Sequence, residues 1–451
     1  MLYQFIGGET LKKKAFKIIG ASIFIVFLLA VGLFIYIYFT QPIAIFETKD
    51  VEYSGEPDIN KILSKEEVSE DIENVIYIIE STHPIFLEEV PEEYYKEKEK
   101  LLSISEESMS VGQLQNNISR YLSVLEDGHT MLWWQENQFL NIDWKYVNGK
   151  LMLLENSELT GNRVTKIGDV NIEDIIEIIE ATFPAENYIA EAKNIEKYLK
   201  SKLVLEQAGV QDYEFINITV ESNGEEKKLQ VEFNNGNNKT KDYSIYSKKI
   251  DDNIAYIRLG ICEVNSSLEK VIDDINNYLD SEIDNFIIDV EDNPGGNSTA
   301  CTIILEALKI TPGNYGSTIR FSKLAQEQRG YLRSSGSVDF KSNNDAVANE
   351  DINLYVIENE NTFSSAQMLA VWVSDGNLGR IVGRPSSNKP SSFGDIICFQ
   401  LENSKLKGSV SHKKWIRPDI NKDKEDILEP DIYVEYGEDS VKTIIDEINS
   451  K

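Results

Sequence analysis

Ser364 is a candidate nucleophile because it stands where a predicted helix begins. The loop Asn361–Gln367 follows a strand predicted at Leu354–Ile357 and leads into a helix predicted from Ser364 to Ser374. The free N–H groups and the dipole of a helix N-terminus favour negative charge, which suits a developing alkoxide or oxyanion. Serine is also a common helix N-cap. Ser364 alone therefore does not establish a site.

A second candidate loop, Glu291–Asn297, follows an apolar strand predicted at Phe286–Val290. Its adjacent glycines, Gly295 and Gly296, allow the backbone to turn sharply and to point N–H groups at a ligand. Such a glycine pair also occurs in ordinary strand-to-helix turns. The loop therefore becomes informative only beside the other candidates.

Two side chains could act as general base for a serine. Lys389 follows a strand predicted at Arg380–Gly383, and a lysine can take this role where burial lowers its pKa. A single loop lysine is more commonly solvated. The rival is His129, in the sequence Asp127-Gly128-His129-Thr130, because histidine titrates near neutral pH. The sequence alone does not bring His129 near Ser364, and a structural role for it at a domain junction is equally expected.

The candidate loops belong to residues 241–451, where strands and helices alternate from about Ile254. Apolar strands alternating with helices predict a central, partly parallel sheet covered by helices. In such folds ligands bind beyond the carboxyl ends of the strands, where the loops after Val290 and Ile357 lie. The predicted strands are Ala255–Leu259, Phe286–Val290, Leu354–Ile357 and Arg380–Gly383, and the predicted helices include Leu268–Leu279 and Ser364–Ser374.

Two smaller regions are predicted before this core. Apolar side chains at three- and four-residue steps predict a helical subdomain over residues 64–134. Residues 135–240 are predicted to form a small β/α segment, with a helix from about Asn187 to Gln207 and a hairpin that turns at Asn223-Gly224. The polar run Gly236–Thr240 is predicted to be a linker.

Charge divides the chain at residue 47. The whole sequence has 45 Lys and Arg against 76 Asp and Glu, a net charge of −31. Residues 1–46 carry +3, so residues 47–451 carry −34. An acidic chain with no basic patch beyond its N-terminus excludes nucleic acid as a partner. Three histidines and three scattered cysteines indicate no metal site and no disulfide framework.

Residues 18–39 form a run of 22 uncharged, mostly apolar residues, which is long enough to cross a bilayer as a helix. Four lysines within residues 12–17 precede the run, and acidic residues follow it. The positive-inside rule then predicts a single-pass cell-membrane protein with a cytoplasmic tail at 1–17, a stalk at 40–63 and the remainder outside the cytoplasm. A cleaved signal peptide has a shorter apolar region of about 7–15 residues, so an uncleaved anchor is the favoured interpretation.

In order and spacing, the candidate residues resemble the C-terminal processing, or tail-specific, serine proteases, which use a Ser/Lys dyad. Asp289–Gly296 is similar to the family's Asp-Leu-Arg-Asn-Asn-Pro-Gly-Gly-like turn, and Thr362–Gln367 is similar to its nucleophile motif. Ser364 falls at the catalytic position of that motif. Lys389 follows Ser364 by 25 residues, and Gly383 falls on the glycine of the family's Val-Val-Gly-Glu stretch.

The resemblance covers most of residues 65–435 and includes His83-Pro84, Leu125–Thr130 and Leu428–Ile432. Residues Ile167–Ile172 also faintly resemble part of the family's PDZ-like module. The implied fold is α/β, α+β overall, with a protease-like mixed-sheet core that carries helices on its faces. The implied substrate is a polypeptide held in an extended form, and no cofactor or metal is implied.

The resemblance also implies a role for each candidate. Ser364 would attack the scissile carbonyl, and Lys389 would be the base and then the acid. The implied oxyanion hole consists of backbone N–H groups near Gly295, Gly296 and Ser365. His129 stays an alternative base.

The sequence departs from the family pattern around the candidate site. Glu291-Asp292 replaces Arg-Asn, Gln367 replaces Glu, and Phe393 stands where some members have Gln. Asn388 and Pro390 flank the lysine in place of two glycines. These substitutions leave open a second hypothesis, a peptide-binding ectodomain on the same fold that has lost catalysis. A purely structural surface protein would make the Ser/Lys spacing a coincidence.

Overall fold

The computed structural model describes residues 3–136, 138–156, 158–211, 215–234 and 241–450. Two compact units are present: an N-terminal unit of residues 1–50 and 319–339, and a main unit of residues 51–318 and 340–451. The predicted linker Gly236–Thr240 lies outside the described residues.

Helices and strands alternate along most of the chain. The α-helices are α1 Tyr3–Thr40, α2 Lys65–Thr82, α3 Glu92–Ser103, α4 Val111–Ser123, α5 Ile172–Thr182, α6 Tyr188–Tyr198, α7 Lys202–Gln207, α8 Ser266–Asp280, α9 Thr299–Ala307, α10 Lys323–Arg329, α11 Ser365–Asp375 and α12 Ser440–Ser450, with 3-10 turns at Pro84–Leu87 and Ile420–Lys422. The strands are β1 Ile62–Leu63, β2 Met109–Ser110, β3 Met131–Leu132, β4 Phe139–Leu140, β5 Trp144–Val147, β6 Lys150–Glu155, β7 Glu158–Ile167, β8 Val170–Asn171, β9 Ile216–Ser222, β10 Glu225–Val231, β11 Phe233–Asn234, β12 Ile245–Asp251, β13 Ile254–Leu259, β14 Asn285–Asp289, β15 Gly316–Arg320, β16 Ser337–Phe340, β17 Asn353–Glu358, β18 Arg380–Gly383, β19 Phe393–Gln400, β20 Lys407–Ile416 and β21 Ile432–Tyr433.

The N-terminal unit is built on the long helix α1. Within it, the 19 residues Ser22–Thr40 are long and apolar enough to cross a membrane, and none of this window is buried. The segment after the helix pairs with the turn that follows α10, because the N–H groups of Ile45 and Phe46 both donate to the Gly330 carbonyl at 2.9 and 3.0 Å. Gly330 has φ +68°, and a Cβ there would meet the Phe46 carbonyl oxygen at 2.2 Å. Only glycine fits this close approach.

The main unit is organised by a six-stranded sheet in the order β12-β13-β14-β17-β18-β21. In this sheet the neighbouring strands β13, β14, β17, β18 and β21 are parallel, and β12 pairs antiparallel with β13 at the edge. Alternate strand residues face two cores. Phe286 and Ile288 pack with α8, α9 and α11 on one face, and Ile287 packs towards Ile444 of α12 on the other. The predicted partly parallel sheet with helices on its faces is therefore confirmed.

The antiparallel pair β19-β20 extends this core towards the upstream helices. Strand β20 also pairs with β3, with Gly408 opposite Leu132 and Ser409 opposite Met131. Because β3 begins directly after His129-Thr130, this pairing brings the Asp127–Thr130 loop to the core region of the sequence.

Helices predicted from the apolar stripes are present over residues 64–123. Ser64 and Ser110 each begin a helix with a capping box, receiving the N–H of Glu67 and of Gln113 respectively. The apolar stripe of α4 is buried at Leu114, Ile118 and Leu122, which follow one another at four-residue steps as the predicted periodicity requires. The periodicity of the sequence thus fixes both the start and the buried face of these helices.

The middle residues form a second sheet, in the order β10-β9-β7-β6-β5 with β8 beside β7. The predicted hairpin is confirmed, because β9 and β10 are antiparallel and the turn residues Asn223 and Gly224 have φ of 54° and 80°, as a type I′ turn requires. The prediction of one helix from Asn187 to Gln207 is wrong. Ser201 has an extended backbone, with φ −70° and ψ 124°, and its side chain caps a separate helix by accepting the Val204 N–H.

A buried ion pair fixes the end of α11. Arg417, just after β20, donates from Nε and Nη2 to Asp375 Oδ2 and Oδ1 at 3.1 and 2.5 Å, and both side chains are fully buried. Asp375 also accepts the N–H of Asp419 at 2.9 Å. The pair therefore connects the helix that begins behind Ser364 to the end of β20.

Replacing Arg417 by Met should leave the buried Asp375 carboxylate with only the Asp419 N–H and the more distant Lys422 Nζ, at 4.0 Å, as partners. We expect the free energy of unfolding of the full chain in detergent, measured by urea titration, to fall by about 3–5 kcal/mol. The exposed pair Arg163–Glu173 provides the control, because Arg163→Met should cost about 1 kcal/mol or less. Equal losses for the two variants would contradict the anchoring role of Arg417.

Candidate active site

Ser364 lies in a strained turn between β17 and α11. Its backbone has φ 54° and ψ −125°, and its side chain forms no capping hydrogen bond with the helix. A non-glycine residue with positive φ is costly and persists only where its surroundings hold it. A sharp strand-to-helix turn of this kind raises a serine hydroxyl clear of the sheet. The ordinary N-cap interpretation of Ser364 therefore does not apply.

The loop around Ser364 is held from two sides. The Ser364 N–H donates to Asn388 Oδ1 at 2.7 Å, and the Phe363 N–H donates to the Asn293 carbonyl at 2.9 Å. The Thr362 hydroxyl donates to the Val290 carbonyl at 2.8 Å. The structure thus brings the loops after β14, β17 and β18 together at the carboxyl end of the parallel strands, as the sequence predicts.

The glycine turn Gly295-Gly296 lies directly against Ser364. Gly295 has φ +96°, and a Cβ on it would stand 2.6 Å from Ser364 Cβ and 2.8 Å from the Phe363 carbonyl oxygen. The Ser365 hydroxyl donates to the Gly296 carbonyl at 2.7 Å. Any side chain at Gly295 would push the turn away from the serine.

The three predicted oxyanion donors differ in availability. The Gly295 N–H donates to Asn293 Oδ1 at 2.8 Å, so it is already engaged. The N–H groups of Gly296 and Ser365 have no hydrogen-bond acceptor within the part of the chain that the structure describes. These two free backbone donors lie beside Ser364, the arrangement that an oxyanion hole needs.

His129 packs next to the loop that carries Ser364. Its ring lies against that of Phe363, with 4.6 Å between the centroids, and a Cβ on Gly394 would stand 3.8 Å from its Cε1. Both ring nitrogens are buried and have no direct hydrogen-bond partner among the described residues. The ring of His129, which the sequence could not place, therefore contacts the residue that precedes Ser364.

Two carboxylates flank this histidine. His129 Nδ1 lies 3.6 Å from Asp127 Oδ1 and 3.8 Å from Glu186 Oε1. Burial lowers the pKa of His129, but Asp127, Glu186 and Asp395 outweigh it, and the pKa is raised above the usual value. The environment consequently favours the imidazolium form, which a general base becomes when it takes a proton.

Asp127 is the more firmly held of the two carboxylates. It accepts hydrogen bonds from His83 Nε2 at 3.1 Å, from the Thr130 and Ser411 hydroxyls at 2.6 Å each, and from the His129 N–H at 2.9 Å. Burial opposes its ionisation, yet the hydrogen bonds and charges of His129 and His83 hold the pKa of Asp127 well below its usual range. Asp127 therefore carries a fixed negative charge behind the histidine.

Glu186 connects the histidine to the Ser364 loop. Its Oε1 accepts the Gly128 N–H at 3.1 Å, and its Oε2 accepts Asn388 Nδ2 at 2.7 Å and the Lys389 N–H at 2.9 Å. Burial raises the pKa of Glu186, and the charge of His129 opposes that rise. Since Asn388 also holds the Ser364 N–H, one buried carboxylate positions both sides of the site.

Lys389 is placed differently from His129. Its Nζ lies 3.0 Å from Asp426 Oδ1, and the Asp426 side chain is 70% exposed. This ion pair holds the Lys389 Nζ at Asp426. The backbone of Lys389 contributes to the site through its bond to Glu186, while its side chain is engaged elsewhere.

Ligand atoms of Asp127, His129 and Glu186 all lie within 4.8 Å of one another, as a metal site would require. The two carboxylates already accept four and three hydrogen bonds respectively. Most of their lone pairs are therefore occupied, so the group fits the orientation of an imidazole better than the ligation of a cation.

Sequence reasoning missed Asp127, Glu186 and Asn388. Asp127 is two residues before His129, and Asn388 directly precedes Lys389, so both had a signal in their neighbours. Glu186 is separated from Asn388 by 202 residues and carries no local motif. Only the packing of the middle segment against the core brings it to the site.

Comparisons with known proteins give a family match and similar folds. Residues 253–434 match Peptidase family S41. The fold is similar to that of mature CPAF, with a TM-score of 0.57 and 11% identity over 82% of this chain and 92% of CPAF. The complex of mature CPAF with lactacystin gives a TM-score of 0.57 and 12% identity over 86% and 97% of the two chains. The photosystem II D1 C-terminal processing protease covers 83% of this chain and 94% of its own at 13% identity, with a TM-score of 0.40. No curated protein matches the chain.

The family match, together with a serine raised on a strained turn, defines a serine-type peptidase. More particularly, residues 253–434 match peptidase family S41, and this match covers the part of the chain that carries Ser364.

The flanking carboxylates make the protonation of His129 testable. Glu186→Gln removes a negative charge near Nδ1 and should lower the pKa of His129, so that deprotonation moves to lower pH. The measurement is the imidazole ¹⁵N shift of histidine-labelled full-length protein in detergent, titrated from pH 5 to 9. Glu180→Gln, which removes a charge that does not face His129, is the control. An unchanged titration of His129 in Glu186→Gln would show that Glu186 does not act on it.

Proposed function

We propose that this protein is a membrane-anchored serine endopeptidase that cleaves extended or unfolded polypeptides, with Ser364 as nucleophile and His129 as general base. The proposal rests above all on one observation: the strained Ser364 turn lies against Gly295, next to the free N–H groups of Gly296 and Ser365, and follows Phe363, whose ring packs on that of His129. Nucleophile, oxyanion donors and base are the three parts that acyl transfer needs.

In this proposal, the Ser364 hydroxyl attacks the scissile carbonyl and His129 takes the hydroxyl proton. The negative charge on the former carbonyl oxygen is stabilised by the Gly296 and Ser365 N–H groups. Asp127 and Glu186 stabilise the imidazolium. The protonated His129 then donates its proton to the leaving amine. In the second half of the reaction His129 takes a proton from a water molecule, which attacks the acyl group, and His129 returns a proton to the Ser364 oxygen as the acid product leaves.

Lys389 is the alternative base. For this role its Nζ would have to leave Asp426, lose its proton and approach the serine hydroxyl, which costs the ion pair. His129 must also be neutral to act as the base, but its ring already packs against Phe363 of the Ser364 loop, and neither ring nitrogen forms a hydrogen bond with the described residues. These contacts support His129 over Lys389, and a variant comparison separates the two.

The other open function is a peptide-binding ectodomain without catalysis. One observation favours this second function. Gln367, which departs from the family pattern, is buried just after Ser364, and its side-chain amide has no hydrogen-bond partner among the described residues. The binding-ectodomain hypothesis predicts that Ser364 is unreactive.

Three single variants test the proposal on an unfolded, fluorescently labelled protein substrate. Ser364→Ala and His129→Ala should each lower kcat/KM by a factor of about 10³ or more. Lys389→Met should stay within about threefold of wild type, as should the control Lys414→Met, which removes another lysine paired with a partly exposed carboxylate. Labelling of the wild type by a fluorophosphonate should map to Ser364.

Two results would contradict the proposal in different ways. Full activity of His129→Ala with loss in Lys389→Met would restore the Ser/Lys dyad. Absence of both cleavage and fluorophosphonate labelling in folded wild-type protein would leave the binding ectodomain.

The membrane part of the proposal rests on the apolar window Ser22–Thr40 and on the lysines that precede it. We expect the full chain to stay in the membrane fraction after carbonate extraction, and added protease to digest the main unit on intact cells. Leu28→Arg with Leu29→Arg should abolish retention, because each central arginine costs about 2.5–3.5 kcal/mol on insertion. Leu28→Ala with Leu29→Ala is the control. Retention of the double arginine variant, or protection of the main unit, would overturn this topology.

A further inference from the structure

Two of the three cysteines are in contact behind the glycine turn of the active site. Cys262 Sγ and Cys301 Sγ lie 3.6 Å apart, and both side chains are buried, with exposed fractions of 2% and 0%. They are free thiols separated by 39 positions in the chain. The proposed mechanism uses neither of them.

The backbone of Cys262 pairs with the glycine turn. Its N–H donates to the Gly295 carbonyl at 3.0 Å, and its carbonyl accepts the Asn297 N–H at 2.7 Å. A Cβ on Gly296 would stand 2.3 Å from the Cys262 carbonyl oxygen, so the two segments are in close contact. A movement of Cys262 would therefore move the turn that carries the Gly296 N–H.

Each thiol also contacts a residue that positions the oxyanion hole. The Cys301 thiol donates to the Ser365 carbonyl at 3.4 Å. Cys262 Sγ lies 3.5 Å from Asn293 Nδ2, and Asn293 Oδ1 accepts the Gly295 N–H at 2.8 Å. The thiol pair thus connects the glycine turn on one side of the proposed oxyanion hole to Ser365 on the other.

We propose that Cys262 and Cys301 are a redox modification site, and that a disulfide between them inactivates the active site. A disulfide brings the two sulfurs about 1.5 Å closer than they are in the thiol pair. It also has no S–H group, so the hydrogen bond to the Ser365 carbonyl is lost. A displacement of about 1 Å at a catalytic group can lower the rate by about a hundredfold. The effect on activity rests on the proposed peptidase function.

Burial decides which oxidant can reach the pair. Bulky disulfide reagents are excluded, whereas hydrogen peroxide is small and uncharged. The hydrogen bond with Cys262 and burial both raise the pKa of Cys301, so Cys301 stays a thiol and Cys262, beside the Asn293 amide, reacts first. The main unit is proposed to lie outside the cytoplasm, where disulfides form and persist.

The reaction with hydrogen peroxide balances in two steps. The Cys262 sulfur attacks one peroxide oxygen, the O–O bond breaks, and a sulfenic acid and one water form. The Cys301 sulfur then attacks the Cys262 sulfur, the S–O bond breaks, and the oxygen leaves as a second water that carries the Cys301 proton. The two thiols lose two electrons and two protons in total, and the peroxide is reduced to water.

The test treats the full-length protein in detergent with hydrogen peroxide, removes the peroxide with catalase, and maps the thiols by alkylation in denaturant and mass spectrometry. We expect a cross-linked peptide pair that contains Cys262 and Cys301, and dithiothreitol should restore both thiols. Thiols that stay free, or that are oxidised only to sulfinic or sulfonic acid, would overturn the inference.

The effect on the site is measured as the ratio of kcat/KM after and before oxidation, with the unfolded protein substrate. For the wild type, we expect a fall of about tenfold or more, reversed by dithiothreitol. Cys301→Ser cannot form the bond and should keep a ratio near one under the same peroxide. Cys398→Ser is the matched control, because it leaves the pair intact, and it should fall as the wild type does. A disulfide that forms without loss of activity would contradict the inactivation.

Hydrogen exchange separates this inference from the proposed function. In Ser364→Ala protein, which has no nucleophile, the backbone exchange of residues 292–299 and 363–367 should differ between the thiol and the disulfide forms. If the reduced wild type cleaves nothing but the disulfide forms and this exchange changes, catalysis fails and the redox site stands. Unchanged exchange in the disulfide form would contradict the coupling of the thiol pair to the turn, whatever the activity.

Discussion

The site depends on the hydrogen bonds that the buried carboxylate of Glu186 accepts. It accepts hydrogen bonds from Gly128, Asn388 and Lys389, and Asn388 in turn holds the strained Ser364 backbone. A group with this burial would be costly without these partners. Its partners come from distant parts of the chain, so the carboxylate is satisfied only when the middle segment, the His129 loop and the core are all folded.

The strain at Ser364 has the same origin. A positive φ at a serine is unfavourable by itself, and it is maintained here because Gly295 leaves no room on one side while Asn388 and Asn293 bind the backbone on the other. The consequence is that the hydroxyl is directed away from the helix it would otherwise cap. The Ser364 turn is thus already in place in the folded protein, so its strain is offset by folding and not by the binding of a substrate.

Much of the core could be predicted from the sequence. The parallel strands, the hairpin at Asn223-Gly224 and the stripe of α4 follow from periodicity and turn residues, which are local signals. The split of one predicted helix at Ser201 was missed because an N-cap serine inside an apolar, helix-favouring run has little weight in a pattern of period 3.6. Ser364 and the glycine turn were found because their motifs are contiguous.

The base could not be assigned in the same way. His129 lies outside the 253–434 match, and the signal for Lys389 was a spacing that says nothing of where its Nζ points. The pairing of β3 with β20, and the contact of Glu186 with residues 202 and 203 positions away, are long-range events that one sequence does not encode locally.

We propose above that Ser364 attacks the substrate carbonyl, that His129 is the base, and that the Gly296 and Ser365 N–H groups hold the oxyanion. In a fluorophosphonate adduct the phosphoryl group takes the place of the acyl group. A crystal structure of this adduct tests the proposal most directly. We predict a covalent bond to Ser364 Oγ, with the phosphoryl oxygen within about 3.2 Å of the Gly296 and Ser365 nitrogens and a His129 nitrogen within hydrogen-bond distance of the adduct. An adduct whose oxygens are contacted by Lys389 Nζ instead, with His129 turned away, would contradict it.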